Sequence, residues 1–240
     1  MAKRKRRLFL HLGTHKTGST SIQAALSNTH PRLVASGLEP YMGGVTPKAQ
    51  SRVGRSFNSW PLAHAVLRPE VQTTKRLRLL SLSPLSEADV LAQFAAKIHV
   101  SDCPEHVVSA EAFCFLRQPQ EQRRLMAVLS DLFEVVTPIV VLRETAGWRH
   151  SYSGQLDRAG LRPQLDALPP QQRPDGEWYY DQDAIQAFWT IFGTVAVINY
   201  DDVVGADGSV LPAFYRALGR EEFCPAKLIW RNKTPGQDHP

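Results

Sequence analysis

LFLHLGTHKTGSTSIQAAL, residues 8–26, decides how the rest of the chain is read. Residues 8–12 are short and apolar enough for a buried strand, and residues 18–26 combine small first-turn residues with the later apolar spacing of a helix. The loop between them therefore joins the carboxyl end of a strand to a helix N-terminus, where unpaired backbone N–H groups and the positive end of the helix dipole favour an anion. Gly13 and Gly18 allow a tight turn and a close approach of backbone to an oxyanion. Ser19, Thr20 and Ser21 add hydroxyl donors, and Lys16 brings a positive charge into the same curve. A phosphate group is the expected guest.

The spacing resembles the phosphate loop of nucleotide-hydrolysing enzymes, since four residues separate Gly13 from Gly18. That motif continues with Lys and then Ser or Thr, whereas this chain continues with Ser19 and Thr20 and carries its lysine inside the loop. HKTGSTS, residues 15–21, resembles instead the 5′-phosphosulfate loop of the sulfotransferases that use 3′-phosphoadenosine 5′-phosphosulfate (PAPS), most of all their bacterial and carbohydrate-acting branches. The resemblance implies that His15, Lys16, Thr17, Gly18, Ser19 and Thr20 bind the donor. The bland alternative is a capped strand-to-helix turn with a solvated lysine.

A second stretch supports the resemblance. In IVVLRETAGWRHS, residues 139–151, a β-branched run ends in Arg143, and Ser151 follows eight residues later, the separation of the family's 3′-phosphate motif. An arginine there can make paired, charge-assisted bonds to phosphate, and a serine two turns into the next helix can add a hydroxyl. Singly, a surface ion pair for Arg143 and a solvent-facing Ser151 would be adequate readings. The likeness runs from about residue 8 to residue 200 and is weak between residues 42 and 102.

Composition is that of a soluble globular chain of 240 residues, compatible with one α/β domain carrying insertions. The net charge of +5 is modest and comes partly from the opening MAKRKRR, a basic tail over residues 1–7, so neither nucleic acid nor membrane is implied as a partner. The apolar stretch behind that tail ends at Leu12, too early for a secretory signal, and no segment approaches the roughly 20 apolar residues of a membrane span. Cys103, Cys114 and Cys224 are odd in number and lack metal-ligand spacing, so neither disulfide framework nor zinc site is expected. A reducing cytoplasm is the simplest setting, and it departs from the membrane-anchored Golgi branch of the family.

Along the chain, a short second strand is expected within residues 33–41, ended by Gly43 and Gly44. Residues 46–85 are rich in Pro, Ser and Arg around one apolar patch at 60–67 and read as an acceptor-binding insertion or a loose excursion. A capped amphipathic helix over 86–98 precedes a buried strand, 106–110, with Glu111 directly at its end. In open parallel sheets, chemistry gathers beyond the strands' carboxyl ends, which makes Glu111 the leading candidate for the base that accepts the acceptor's proton. His64, in the 60–67 patch, is the competing base, although a lone histidine among apolar residues is more often structural.

Further helices are expected over 120–132, 143–156, 178–192 and 211–218, and strands over 135–142 and 194–200, with Pro138 marking the start of the former. Residues 163–174 read as a proline-rich connection, and Asp201 and Asp202 as turn formers, not metal ligands. The basic residues Arg231 and Lys233 are candidates to cover the nucleotide, by analogy with the family.

The expectation is one three-layer α/β/α domain with a mostly parallel central sheet and a phosphate-loop-like nucleotide site. The activity implied by the resemblance is transfer of a sulfuryl group from PAPS to a hydroxyl, on a carbohydrate or glycoconjugate, with no metal required. The competing classes are a phosphate-loop kinase or hydrolase and a non-catalytic anion- or nucleic-acid-binding module.

Overall fold

A computed structural model of the chain describes residues 6–43, 57–79 and 86–226. Five strands form one wholly parallel sheet in the order β2-β3-β1-β4-β5. They are β1 (Arg7–His11), β2 (Leu38–Pro40), β3 (Glu105–Ser109), β4 (Val135–Leu142) and β5 (Ala196–Asn199). The chain builds outward from β1 to β2 and β3 on one side and to β4 and β5 on the other, so the order reverses at β1. A crevice at the carboxyl end of β1 follows from that reversal.

Side chains alternate between the two faces of the sheet, and each face carries its own core. Leu8, Leu10, Val108, Val140 and Leu142 point to one side. There they meet α2 (Trp60–Val66), α4 (Glu87–Val100), α5 (Pro119–Leu132), α6 (Thr145–Arg158) and α8 (Gln182–Thr190). Phe9, Val107, Ile139, Val141 and Ile198 point to the other, against α1 (Ser19–Ala35) and α10 (Leu211–Ala217). The three-layer α/β/α arrangement expected from the sequence is therefore present. Among the described residues no helix is long and apolar enough to cross a membrane.

Several boundaries differ from expectation for identifiable reasons. Helix α1 continues through Pro31 to Ala35, and Gly37 turns the chain at φ 87°, which leaves only Leu38–Pro40 for β2. Pro138 lies inside β4, not at its start. The Ile139 and Val141 carbonyls accept from the chain continuing β1, so Pro138 faces the β5 side, ahead of the first β5 pairing at Ile139. No ladder donor is missed there. The connection expected at 163–174 contains α7 (Arg162–Asp166), and Tyr200 opens α9 (Tyr200–Asp207) instead of extending β5. Helix α4 starts as the sequence predicts, with a reciprocal capping box between Ser86 and Asp89.

Where described, the expected insertion is an ordered wall and not a loose excursion. Helix α2 is followed by α3 (Thr74–Leu79), and the turn between them is gathered by Arg76. Its Nη1 donates to the carbonyls of Arg68 and Val71 at 2.5 and 2.7 Å, and its Nη2 to that of Leu67 at 2.9 Å. His64 Nε2 lies 2.7 Å from Thr73 Oγ1 and Nδ1 2.8 Å from the Trp60 carbonyl, stitching the same turn. Residues 44–56 and 80–85, the rest of the expected insertion, lie outside the described residues.

Removing the Arg76 head would leave buried carbonyls without donors, at a cost of about 3 kcal/mol. Arg76→Ala should lower the urea unfolding midpoint accordingly. An unchanged midpoint would show that water replaces the guanidinium.

Candidate active site

The loop after β1 is bound along its neighbours before it turns. Leu12 N–H donates to the Ile139 carbonyl at 3.0 Å, and Thr14 gives both its N–H and its Oγ1 to the Val141 carbonyl at 3.2 and 3.0 Å. On the other side Ala110 N–H donates to the His11 carbonyl at 3.0 Å. Lys16 then takes the left-handed conformation at φ 68°, unusual for a residue with a Cβ, and Gly18 follows at φ 83°. A Cβ on Gly18 would meet Val210 Cγ1 at 2.8 Å, so both the turn and the packing require glycine.

Helix α1 has no side-chain cap, since Gly18 occupies the cap position. The backbone N–H groups of residues 16–20 find no partner among the described residues, and the buried Ser19 Oγ finds none either. These donors suit the oxygens of a phosphate or sulfate. Burial, with Arg158 and Arg143 nearby, lowers the Lys16 pKa from its ordinary value.

Arg143, just beyond β4, joins the same site. Its Nη1 lies 3.4 Å from the Lys16 carbonyl. Asp201, in the first turn of α9, holds the guanidinium from behind, with its Oδ1 3.4 Å from Nε and its Oδ2 accepting from Glu144 N–H at 2.8 Å. The Tyr200 ring lies against the guanidinium at 5.2 Å, and Gln182 donates to the Arg143 carbonyl at 2.6 Å. Ser151 is half-buried on α6, one residue before Tyr152, whose ring is 4.9 Å from that of His15.

Glu111 opens a short 3-10 turn directly after β3. Its Oε2 accepts from Gln23 Nε2 at 3.1 Å and from Asn58 Nδ2 at 3.5 Å. Because Gln23 sits in the second turn of α1, the carboxylate is tied to the helix that springs from the Lys16 loop. Oε1 has no hydrogen bond to the described residues and is available to a substrate hydroxyl.

His15 has a fixed orientation and no charge at neutral pH. Its N–H donates to Tyr179 Oη at 3.0 Å, while its Nδ1 is 2.6 Å from the same oxygen. The phenol, whose pKa is pushed well up by burial, therefore donates to Nδ1, which leaves the remaining proton on Nε2. Desolvation lowers the His15 pKa from 6.5 to about 4, against a raising influence from Glu111 and with smaller lowering ones from Lys75 and Lys16. Burial takes His11 down to about 4 as well, again against Glu111.

The structure thus brings Lys16, the loop donors, Arg143 and Glu111 to one edge of the sheet. It gives His64 a structural task instead: both ring nitrogens are engaged in the wall, and burial lowers its pKa to about 4. Arg231 and Lys233 lie outside the described residues. The sequence reading missed Gln23, Asn58, Tyr179 and the role of Asp201. Only Asp201 left a trace, as a carboxylate at a strand end.

No family model matches the chain, and no curated protein does. Among solved structures, the sulfotransferase of Alicyclobacillus acidocaldarius overlays with a TM-score of 0.57 at 17% identity, covering 95% of this chain and 87% of that one. The chain has the sulfotransferase fold. The sulfotransferase domain of the curacin biosynthetic pathway (TM-score 0.49, 16% identity, 91% of this chain and 75% of that one) overlays too loosely to add weight. So does the sulfotransferase domain of the Synechococcus PCC 7002 olefin synthase (TM-score 0.47, 14% identity, 90% and 74%). Among the described residues, no group of three or more His, Cys, Asp or Glu side chains is arranged to hold a metal ion.

The neutral histidines of this sulfotransferase fold set its response to acid. His11, His15 and His64 each have a folded pKa of about 4 against 6.5 when unfolded, so between these values the unfolded chain binds the extra protons. Stability is unaffected above that window and falls with pH inside it, by about 1.4 kcal/mol per pH unit for each ring. The urea midpoint should therefore drop markedly from pH 7 to pH 5, and His64→Gln should reduce the proton uptake on unfolding by about one. A midpoint flat over that interval would mean the rings charge without leaving the fold.

Proposed function

We propose that the protein is a sulfotransferase that moves a sulfuryl group from PAPS to a hydroxyl, on a carbohydrate or glycoconjugate. One observation carries the proposal: a lysine in a loop of unpartnered donors, an arginine touching that loop and a carboxylate tied to the loop's helix converge at the switch point of a sulfotransferase fold. The sugar assignment rests on the likeness of HKTGSTS to the carbohydrate-acting branch.

The residues suit a doubly phosphorylated nucleotide. Lys16, the N–H groups of residues 16–20 and the orphaned Ser19 hydroxyl would hold the 5′-phosphosulfate, with Thr17 and Thr20 as further loop members. Arg143, aimed by Asp201, and Ser151 would hold the 3′-phosphate. Neutral His15 shapes the loop through Tyr179 and adds no charge.

Glu111 would take the proton of the acceptor hydroxyl on Oε1 as that oxygen bonds to sulfur and the bond from sulfur to the 5′-phosphate oxygen breaks. Lys16 would stabilise the charge growing on that leaving oxygen, and its preorganisation in a strained loop is what such donors require. Arg143 would contribute mainly to binding, equally in ground and transition states.

Lys16→Ala should therefore reduce turnover by about a thousandfold while changing affinity for adenosine 3′,5′-bisphosphate little. Arg143→Ala should weaken the same nucleotide by roughly 10- to 100-fold. Radiolabelled sulfate transfer and calorimetric titration with the bisphosphate, alongside ATP with magnesium, check both statements. Near-normal turnover in Lys16→Ala, or tighter binding of magnesium ATP than of the bisphosphate, would overturn the assignment.

A further inference from the structure

A buried histidine beneath the loop has no part in the chemistry so far. His11 ends β1 in register with Ser109 at the end of β3, so both side chains leave the same face of the sheet. The ring is fully buried, and the Phe214 ring meets it edge-on at 5.3 Å. Its Nδ1 lies 2.8 Å from Ser109 Oγ. Gln23 Nε2 in turn donates to Ser109 Oγ at 3.4 Å and to Glu111 Oε2 at 3.1 Å. One chain of hydrogen bonds thus runs from the carboxylate after β3, through an amide and a hydroxyl, to the imidazole under the loop.

The protons along that chain can be placed. A carboxylate only accepts, so Gln23 presents its NH2 group to Glu111, and the second hydrogen of the same nitrogen goes to Ser109. Ser109 Oγ keeps its own hydrogen to give, and among the described residues the acceptor it meets is His11 Nδ1. Burial lowers the His11 pKa to about 4, so the ring is neutral and its one proton sits on Nε2. That N–H has no partner among the described residues, and the buried Ser19 Oγ has none either. Both border one point: a Cβ on Gly13 would stand 2.6 Å from His11 Nε2 and 3.2 Å from Ser19 Oγ. Glycine at position 13 is what lets the imidazole edge face the first residue of α1. A buried donor left unpaired costs about 1–3 kcal/mol, and a partner at the loop would recover that.

We propose that His11 is a positioning residue for the donor site: Ser19 Oγ accepts from its Nε2–H across the bare side of Gly13, which turns the Ser19 hydrogen outward to the anion held in the loop. This rests on the sulfotransferase reading above and adds a residue to it. Ser19 becomes an oriented donor instead of a free rotor. The chain that orients it also ends on Glu111, so one buried network sets both the loop and the base.

The test uses the full chain and adenosine 3′,5′-bisphosphate. NMR of the imidazole nitrogens at neutral pH should find the His11 proton on Nε2, and saturating bisphosphate should shift that nitrogen's signal. Calorimetry with the same nucleotide reads the variants. His11→Asn reaches Ser109 but not Ser19 and should weaken binding about tenfold, whereas His11→Gln, whose amide extends as far as Nε2, should stay within about threefold of the unsubstituted protein. Ser19→Ala should also cost about tenfold, and His11→Asn combined with Ser19→Ala about the same, because the two residues act as one unit. A proton on Nδ1, an Nε2 signal indifferent to the nucleotide, a His11→Gln protein no better than His11→Asn, or losses that multiply to about a hundredfold would overturn the role of His11 and leave the donor site standing. Should His11→Asn not fold, the ring spectrum of the unsubstituted protein decides. Failure of the unsubstituted protein to bind the bisphosphate overturns the sulfotransferase reading itself.

Discussion

The pairing of β1 between β3 and β4 governs everything at the site, because it continues past the end of the strand. Leu12 and Thr14 remain bonded to the β4 carbonyls of Ile139 and Val141, and His11 accepts from Ala110 beyond β3. The loop therefore leaves the sheet with no freedom relative to either neighbour. Arg143 stands two residues after the carbonyl that holds Thr14, and Glu111 one residue after the N–H that reaches His11. Three short strands in register thus set three chemical groups at a common edge, a precision that loops alone would not supply.

Charge at that edge is controlled by burial as much as by composition. Three histidines lie in or near the cleft, and desolvation keeps each neutral at physiological pH. Positive charge is left to lysine and arginine, and Arg143 has a carboxylate behind it. Asp201 engages Nε, which leaves the terminal nitrogens to face the loop and whatever binds there. A carboxylate placed so orients a guanidinium without consuming the edge that recognises phosphate.

The parts of the site legible in the sequence are those whose chemistry follows from local order. Gly13, Lys16 and Gly18 sit within one strand-loop-helix passage, and Arg143 and Ser151 within another, so spacing together with the family motifs they resemble links them. Glu111 could be found because a strand end is a place as well as a residue. Gln23, Asn58 and Tyr179 could not, since each acts across a long sequence separation through one or two hydrogen bonds, and an amide or a phenol has no local signature. The same reason hides the part played by Arg76, which looks like a surface arginine until the carbonyls it binds are brought round it. Pro138 misled for a subtler reason, because whether a proline breaks a strand depends on which neighbour its nitrogen faces, and that is decided by where β5 begins.

Helix α6 gives the site its direction. It starts beside Arg143, lays Tyr152 against His15 in its middle and ends at Arg158, so one rigid element runs from the end of β4 past the loop. Its buried face, Trp148, Tyr152 and Leu156, packs into one core, so the strand end that carries Arg143 and the loop that carries His15 are held by a single surface.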